Sequence, residues 1–128
     1  MRLLLDTHSF LWYIEDDDKL SQRAEQMISN IDNEVLLSIG SLWEIAIKYG
    51  IGKLSLSRTF SEFIPEQLLI NQIDVLPISL PHLARYTELP FHHRDPFDRL
   101  IIAQAMVEDI PVVSRDKPFQ EYSIDVIW

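Results

Sequence analysis

The sequence predicts an α/β protein whose parallel sheet is covered by helices on both faces. Short apolar runs rich in Leu, Val and Ile alternate along the chain with longer stretches of helical period. The apolar runs are continuous, which is typical of strands that are buried on both faces. The chain has 128 residues, 47% of them hydrophobic, and no repeat or linker. It is therefore predicted to fold as one domain, residues 1–128.

The predicted strands and helices alternate in order along the chain. The strands are short runs dominated by branched apolar residues, and the helices are mostly longer, with apolar residues three or four positions apart. The predicted strands are RLLLD (2–6), EVLLS (34–38), IDVLPI (73–78), PVVS (111–114) and IDVIW (124–128). The predicted helices are HSFLWYI (8–14), SQRAEQMISN (21–30), SLWEIAIKYG (41–50), SEFIPEQLLINQ (61–72), SLPHLARYTEL (79–89) and DPFDRLIIAQAMVED (95–109).

The composition excludes several classes of protein. The chain has no cysteine, which rules out disulfides and thiolate metal sites. Its three glycines cannot build a Walker loop, and no Gly-x-Ser-x-Gly elbow is present. Asp6 interrupts the apolar start, and no stretch reaches the roughly 18 apolar residues of a membrane span. We therefore expect a cytoplasmic protein.

The charge distribution is uneven. The net charge of −9 argues against a general nucleic-acid binder, whose basic surface normally shows in the totals. Five of the eleven Lys and Arg residues, however, lie between positions 85 and 117. A local basic surface is therefore compatible with the acidic total.

Four acids are predicted to meet at one edge of the sheet. Asp6 ends the first strand and Asp116 closely follows the fourth, while Glu44 and Asp98 lie near helix starts. In a parallel α/β layer, strand ends and helix starts share one edge, and ligands bind there. The spacing of these four residues therefore allows their carboxylates to converge.

Three of these acids also have ordinary structural interpretations. Asp6 could cap the first helix, and Asp116 could belong to a turn. Glu44 could form a capping box with Ser41 or an i,i+4 pair with Lys48. Taken one at a time, these residues leave the structural and functional interpretations open.

The segment DPFDRLIIAQA contains two aspartates, Asp95 and Asp98, for which the sequence indicates different roles. Asp95 and Pro96 form an N-cap and first-position pair, which fully explains Asp95 as a helix cap. Asp98 then enters a helix that is apolar nearly all round, where a carboxylate needs a partner. A functional role is therefore the better explanation for Asp98.

Four carboxylates at one edge would repel one another without a cation. Mg²⁺ and similar hard divalent ions prefer oxygen ligands, and such sites can activate water and bind a phosphate with one ion or two. Histidines are the competing ligands. His92 and His93 precede the last helix, but His8 and His82 are not spaced for zinc.

Four segments follow one another over nearly the whole chain: LLLDTH, SIGSLWEIAIKYGIGKL, HHRDPFDRLIIAQA and VVSRDKPF. Taken together they resemble a PIN-domain nuclease, and most closely a VapC-like toxin of bacterial type II toxin–antitoxin pairs. The resemblance implies a three-layer α/β/α sandwich with a five-stranded parallel sheet. It also implies hydrolysis of RNA phosphodiesters with Mg²⁺ or Mn²⁺, leaving a 5′-phosphate and a 3′-hydroxyl.

The resemblance assigns roles to individual residues. Asp6 and Asp98 are implied as direct metal ligands, with Glu44 and Asp116 completing the site, some of them through water. The residues matching the family's hydroxyl positions are Thr7 and Ser114. The flanking cations that are candidates for holding RNA phosphates are Arg94, Arg99, Arg115 and Lys117, although each could equally pair with a neighbouring acid.

The resemblance further implies an antitoxin partner and a homodimer. Two other functions remain open from the residues themselves. A metal-dependent phosphatase would need an Asp-x-Asp pattern after the first strand, where this chain has Asp6-Thr7-His8. A non-catalytic interaction domain is the other alternative, and the complete set of four acids counts against it.

Overall fold

The computed structural model describes all residues, 1–128, and contains a five-stranded parallel sheet between two layers of helices. The predicted fold class is confirmed. The strands are β1 (Arg2–Leu5), β2 (Glu34–Ser38), β3 (Ile73–Leu76), β4 (Val112–Val113) and β5 (Val126–Ile127). The helices are α1 (Thr7–Ile14), α2 (Gln22–Ser29), α3 (Ile39–Gly50), α4 (Phe60–Ile70), α5 (Leu80–Thr87) and α6 (Pro96–Glu108), followed by a 3₁₀ helix, Lys117–Glu121. None of the helices is long and apolar enough to cross a membrane.

Strand β1 lies at the centre of the sheet, whose order is β3-β2-β1-β4-β5. Successive side chains of a strand point to opposite faces. Leu3 and Leu5 therefore pack in the core formed with helices α1 to α4, while Leu4 packs in the core formed with α6. All three leucines are fully buried. This two-sided burial explains the continuous apolar pattern of β1 and places its carboxyl end, followed by Asp6, in the middle of the sheet edge.

Several element boundaries differ from the predicted ones. Strand β3 ends at Leu76, before Pro77, and β4 begins after Pro111. Proline has no N–H to donate to a strand ladder, which accounts for both limits. Helix α3 begins at Ile39, two residues earlier than predicted, because the Ser38 side chain caps it by accepting a hydrogen bond from the Gly40 N–H.

The starts of α3 and α6 lie in close contact at Gly40. A Cβ atom placed on Gly40 would lie 2.5 Å from Cδ2 of Leu100 and 3.3 Å from Oγ of Ser38. Both neighbours are buried. The absence of a side chain at Gly40 therefore allows the two helices to approach, and these helices carry Glu44 and Asp98.

We expect Gly40→Ala to destabilise the protein by about 1 to 2 kcal/mol, because overpacking against Leu100 outweighs the higher helix propensity of alanine. The matched control is Gly50→Ala, since Gly50 is also helical but a Cβ atom placed on it would have no neighbour within 4 Å. That variant is expected to be neutral or slightly stabilised. Urea unfolding measures both. Equal stability of the two variants would contradict the close approach at Gly40.

Candidate active site

Asp6 is held rigidly between β1 and α1. Its Oδ1 accepts a hydrogen bond of 2.8 Å from the Ser9 N–H, so it is the N-cap of α1. Its Oδ2 accepts one of 2.7 Å from the hydroxyl of Ser114, at the end of β4. The residue is only 4% exposed. The capping role and the placement at the sheet edge therefore coexist in this carboxylate.

Ser114 connects Asp6 to Asp116. While its hydroxyl donates to Asp6, its Oγ accepts a hydrogen bond of 3.0 Å from the Asp116 N–H. The side chain of Asp116 is 43% exposed, and the residue directly precedes the 3₁₀ helix. The segment that follows β4 is thus fixed to the central strand by one buried hydroxyl.

Asp98 and Asp116 are bridged by a histidine. Nε2 of His93 lies 3.0 Å from Oδ2 of Asp98 and 2.9 Å from Oδ2 of Asp116. Nδ1 of His93 accepts a hydrogen bond of 3.2 Å from the Asp95 N–H, so the hydrogen of the neutral ring lies on Nε2. The Nε2–H of the His93 ring therefore points between the carboxylates of Asp98 and Asp116.

The sequence analysis considers His93 only as a competing metal ligand, and its bridging position between Asp98 and Asp116 is not predicted. The available signal was its position two residues before the helix cap Asp95, within HHRDPFD. The loop that carries it is fixed by Tyr122, whose hydroxyl accepts hydrogen bonds from the N–H groups of His92 and His93 and donates to the Pro90 carbonyl. No single-sequence pattern connects Tyr122 to that loop.

Asp95 is the N-cap of α6, the role that the sequence predicts for it. Its Oδ1 accepts hydrogen bonds from the N–H groups of Phe97 (2.8 Å) and Asp98 (3.1 Å). This leaves the Asp98 side chain free of capping duty, in the first turn of a largely buried helix. Asp95 and Asp98 are thus separated in role by their local geometry.

Glu44 is 7% exposed, and only one of its two carboxylate oxygens has a hydrogen-bond partner. Its Oε2 accepts a hydrogen bond of 2.9 Å from Nζ of Lys48, which is the predicted i,i+4 pair. Its Oε1 is buried and has no hydrogen-bond partner. The alternative interpretation, a capping box of Ser41 and Glu44, is not found, because α3 begins earlier and Ser38 is its cap. Ser41 instead accepts a hydrogen bond of 3.0 Å from the hydroxyl of Thr7.

The charges of the other three predicted acids all affect the pKa of Asp98. Burial and, to a smaller extent, the nearby charges of Asp95, Asp6, Glu44 and Asp116 raise the pKa of Asp98 to about 8. Burial also raises the pKa of Asp6, against the opposing effect of its hydrogen bonds from Ser9 and Ser114. Asp98 therefore favours its protonated form at neutral pH, chiefly because it is buried.

The four predicted cations divide into two kinds. Arg94, Arg115 and Lys117 are exposed, and none has a carboxylate within 4.0 Å. Arg99, in contrast, is only 4% exposed. The pairing alternative for the three exposed cations is therefore not realised in this structure.

Arg99 differs from the other three candidate phosphate contacts, because its donors are used inside the protein. Its guanidinium donates hydrogen bonds to the carbonyls of Pro90 (3.0 Å), His93 (3.3 Å) and Leu89 (3.4 Å). It also lies over the ring of Phe91, 4.3 Å from the ring centroid. Because its donors serve the loop before α6, Arg99 positions His93 instead.

The donor set fits a hard divalent cation. Oxygen atoms of Asp98 and Asp116 lie within 4.8 Å of one another and of Nε2 of His93, while Asp6 and Glu44 lie outside this group. Buried Oε1 of Glu44 lacks a donor, and Asp98 holds a proton that a cation could replace. Oxygen atoms predominate in this set, as Mg²⁺ and Mn²⁺ prefer.

A family model described as the PIN domain matches residues 3–125. Among curated proteins, the chain is 32% identical over 56 residues to "Ribonuclease VapC16" from Mycobacterium tuberculosis. That match spans 44% of this chain and 38% of the length of the mycobacterial protein.

Solved structures with the same fold cover essentially the whole chain. One is the crystal structure of VapBC2 from Rickettsia felis bound to a DNA fragment from their promoter, with TM-score 0.75, 20% identity and coverage of 100% of this chain and 99% of that one. Another is VapBC-1 from nontypeable Haemophilus influenzae, with TM-score 0.68, 18% identity and coverage of 99% and 97%.

Proposed function

The chain belongs to the PIN-domain family, and on that premise we propose that it is a metal-dependent endoribonuclease, the toxin of a toxin–antitoxin pair. The observation that carries the proposal is the grouping of Asp98 with Asp116 and His93 within 4.8 Å. Burial of Asp98, and to a smaller extent nearby charges that include Asp6 and Glu44, raise its pKa to about 8. Burial of unpaired carboxylates lowers the stability of the folded protein. A bound cation that takes part in catalysis would explain why they are present. The match over residues 3–125 also supports treating the chain as one domain.

The residues that would hold Mg²⁺ or Mn²⁺ are Asp6 and Asp98 directly, with Glu44 and Asp116 completing the site. When bound, one or two such ions would polarise the phosphate and lower the pKa of the attacking water. Ser114 and the Ser9 N–H orient the two oxygens of Asp6 and leave each with a further lone pair. Asp6 is thereby presented as a rigid ligand.

Glu44 is the residue we assign to the attacking water. Its Oε2 is fixed by Lys48, while its Oε1 has no donor and can accept a hydrogen bond, or a proton, from water. His93 has a different part, because its Nε2–H is a hydrogen-bond donor between Asp98 and Asp116. In the metal-free protein it reduces the repulsion between these two acids. Arg94, Arg115 and Lys117 would hold phosphates of the RNA.

The partners of this activity are part of the same proposal. Another solved structure that shares the fold is a toxin–antitoxin complex from Klebsiella pneumoniae, which supports an antitoxin partner for this chain. We also propose a homodimer and a cytoplasmic site of action. The hydroxyl of Thr7, which binds Ser41, joins the starts of α1 and α3 and so supports the positions of Asp6 and Glu44.

The test is cleavage of a mixed RNA pool by antitoxin-free protein. We expect cleavage with Mg²⁺ or Mn²⁺, none with EDTA, and products that carry a 5′-phosphate. Asp6→Asn, purified in parallel, controls for a contaminating nuclease and should be inactive. Cleavage that persists in EDTA, or equally in the variant, would contradict the proposal. Absence of cleavage together with absence of Mn²⁺ binding by calorimetry would favour a non-catalytic domain.

A further inference from the structure

A cleft beside the acid cluster is lined by a mixture of acidic, aromatic and cationic side chains. Asp6 and Asp116 lie in its wall together with His8, Trp12, Arg115 and Lys117. His8 is also close enough to Asp6 to affect the pKa of that carboxyl electrostatically. The cleft is therefore continuous with the proposed active site, and none of its aromatic residues has a role in the mechanism above.

The aromatic residues of this cleft form an ordered stack. The rings of His8 and Trp12 are nearly parallel, 18° apart, with centroids separated by 5.5 Å. The rings of Trp12 and Trp128 meet edge to face with centroids 6.0 Å apart, and Trp12 also packs against the hydrophobic core formed with helices α1 to α4. Trp12 is thus fixed from behind. His8 is exposed. One face of its ring packs against Trp12, so the opposite face and the edge of the ring are accessible to solvent.

Structural duties do not explain the exposed members of this group. His8 takes part in no side-chain hydrogen bond and no ion pair, although it lies in the first turn of α1. Arg115 and Lys117 are exposed without a paired carboxylate, and the guanidinium of Arg115 lies 5.5 Å from the centroid of the Trp12 ring. In a chain of net charge −9, two unpaired cations beside an aromatic stack form a local site for an anion that carries a planar ring.

We propose that His8, supported by Trp12, is a stacking subsite for one unpaired nucleobase of the RNA, next to the phosphate at the acid cluster. This inference rests on the proposed ribonuclease function and specifies its substrate as single-stranded at this position. A base inside a duplex is already stacked on its neighbours, whereas an unpaired base has a free face. Arg115 and Lys117 then contact the phosphates on either side of that nucleotide. Every base can stack on an aromatic ring, so the subsite selects for an unpaired nucleotide more than for a particular base.

The test uses an eight-nucleotide oligouridylate that contains one 2-aminopurine, whose fluorescence is quenched by stacking. Binding is measured with protein carrying Asp98→Asn, which prevents cleavage of the probe, and the substitutions below are added to it. We expect His8→Ala to weaken binding about 10-fold and to reduce the quenching at one position of the 2-aminopurine. His8→Phe should restore both, because it keeps an aromatic ring at this position without the ring nitrogens.

Two controls separate stacking from other effects. His92→Ala removes an exposed histidine that lies outside the cleft and should leave the affinity unchanged. An oligonucleotide with an abasic site at the quenched position should bind His8→Ala and its parent equally. Equal losses for intact and abasic probes, or unchanged quenching in His8→Ala, would overturn the subsite. Because this experiment measures binding without cleavage, its failure is distinguishable from failure of the nuclease proposal.

Discussion

Replacement of Asp98 by Asn is expected to lower kcat/KM for metal-dependent RNA cleavage on the order of 1000-fold. Asp98 is surrounded by the other three acids and shares the N–H of His93 with Asp116. The amide keeps the size of the side chain and removes the negative charge that would hold a divalent cation. The measurement is initial rates at saturating Mn²⁺ on an RNA that the wild-type protein cleaves.

The matched control for this loss is Asp95→Asn, three residues earlier. Asparagine is as good an N-cap as aspartate, so the hydrogen bonds to the N–H groups of Phe97 and Asp98 can be kept. Both variants remove one negative charge near the start of α6. Activity within about 3-fold of wild type is expected for Asp95→Asn, because it loses only a long-range charge effect. Comparable losses in the two variants would mean that charge at the helix start, and not metal binding by Asp98, governs the rate.

Much of the architecture could be predicted because its signals are local and agree with one another. The continuous apolar pattern of the strands, the helical period between them and the Asp95-Pro96 pair each fix an element without knowledge of its neighbours. The convergence of Asp6 and Asp98 followed from the rule that strand ends and helix starts share one edge. That rule needs only the order of elements and no distances.

The parts that could not be predicted depend on contacts between distant residues. Arg99 is one of four cations that the sequence offers for RNA phosphates, and only the fold shows that its donors are used by three carbonyls of the preceding loop. His93 reaches Asp116 across 23 positions of sequence, a pairing that no local pattern encodes. The start of α3 was misplaced because Ser38 and Ser41 are both good cap residues. The choice between them depends on where β2 ends.

The metal-free protein is expected to lose stability as the pH rises, and Asp98→Asn should abolish much of that loss. The carboxyl of Asp98 has a pKa of about 8 in the folded protein against 3.8 for the ordinary group. Between these values the folded state keeps a proton that the unfolded state releases, so the free energy of unfolding falls with rising pH across this window. One pKa unit corresponds to about 1.4 kcal/mol, and neighbouring groups and partial solvation reduce the full difference. We therefore expect the free energy of unfolding to fall by about 2 to 3 kcal/mol between pH 5 and pH 8.

Urea unfolding in EDTA at pH 5 and pH 8 measures this difference for wild type and variant. The variant cannot ionise at position 98, so it should be the more stable protein at pH 8 and similar to wild type at pH 5. Mn²⁺ at 100 times its Kd should then stabilise the wild type by about 2.7 kcal/mol at pH 8 and the variant much less. Parallel pH profiles would mean that Asp98 is not the group whose burial costs stability. Gains with Mn²⁺ that are equal in both proteins would place the cation away from the acid cluster. The same substitution is therefore expected to stabilise the empty protein and to inactivate the enzyme, a combination that distinguishes a functional carboxylate from one that merely supports the fold.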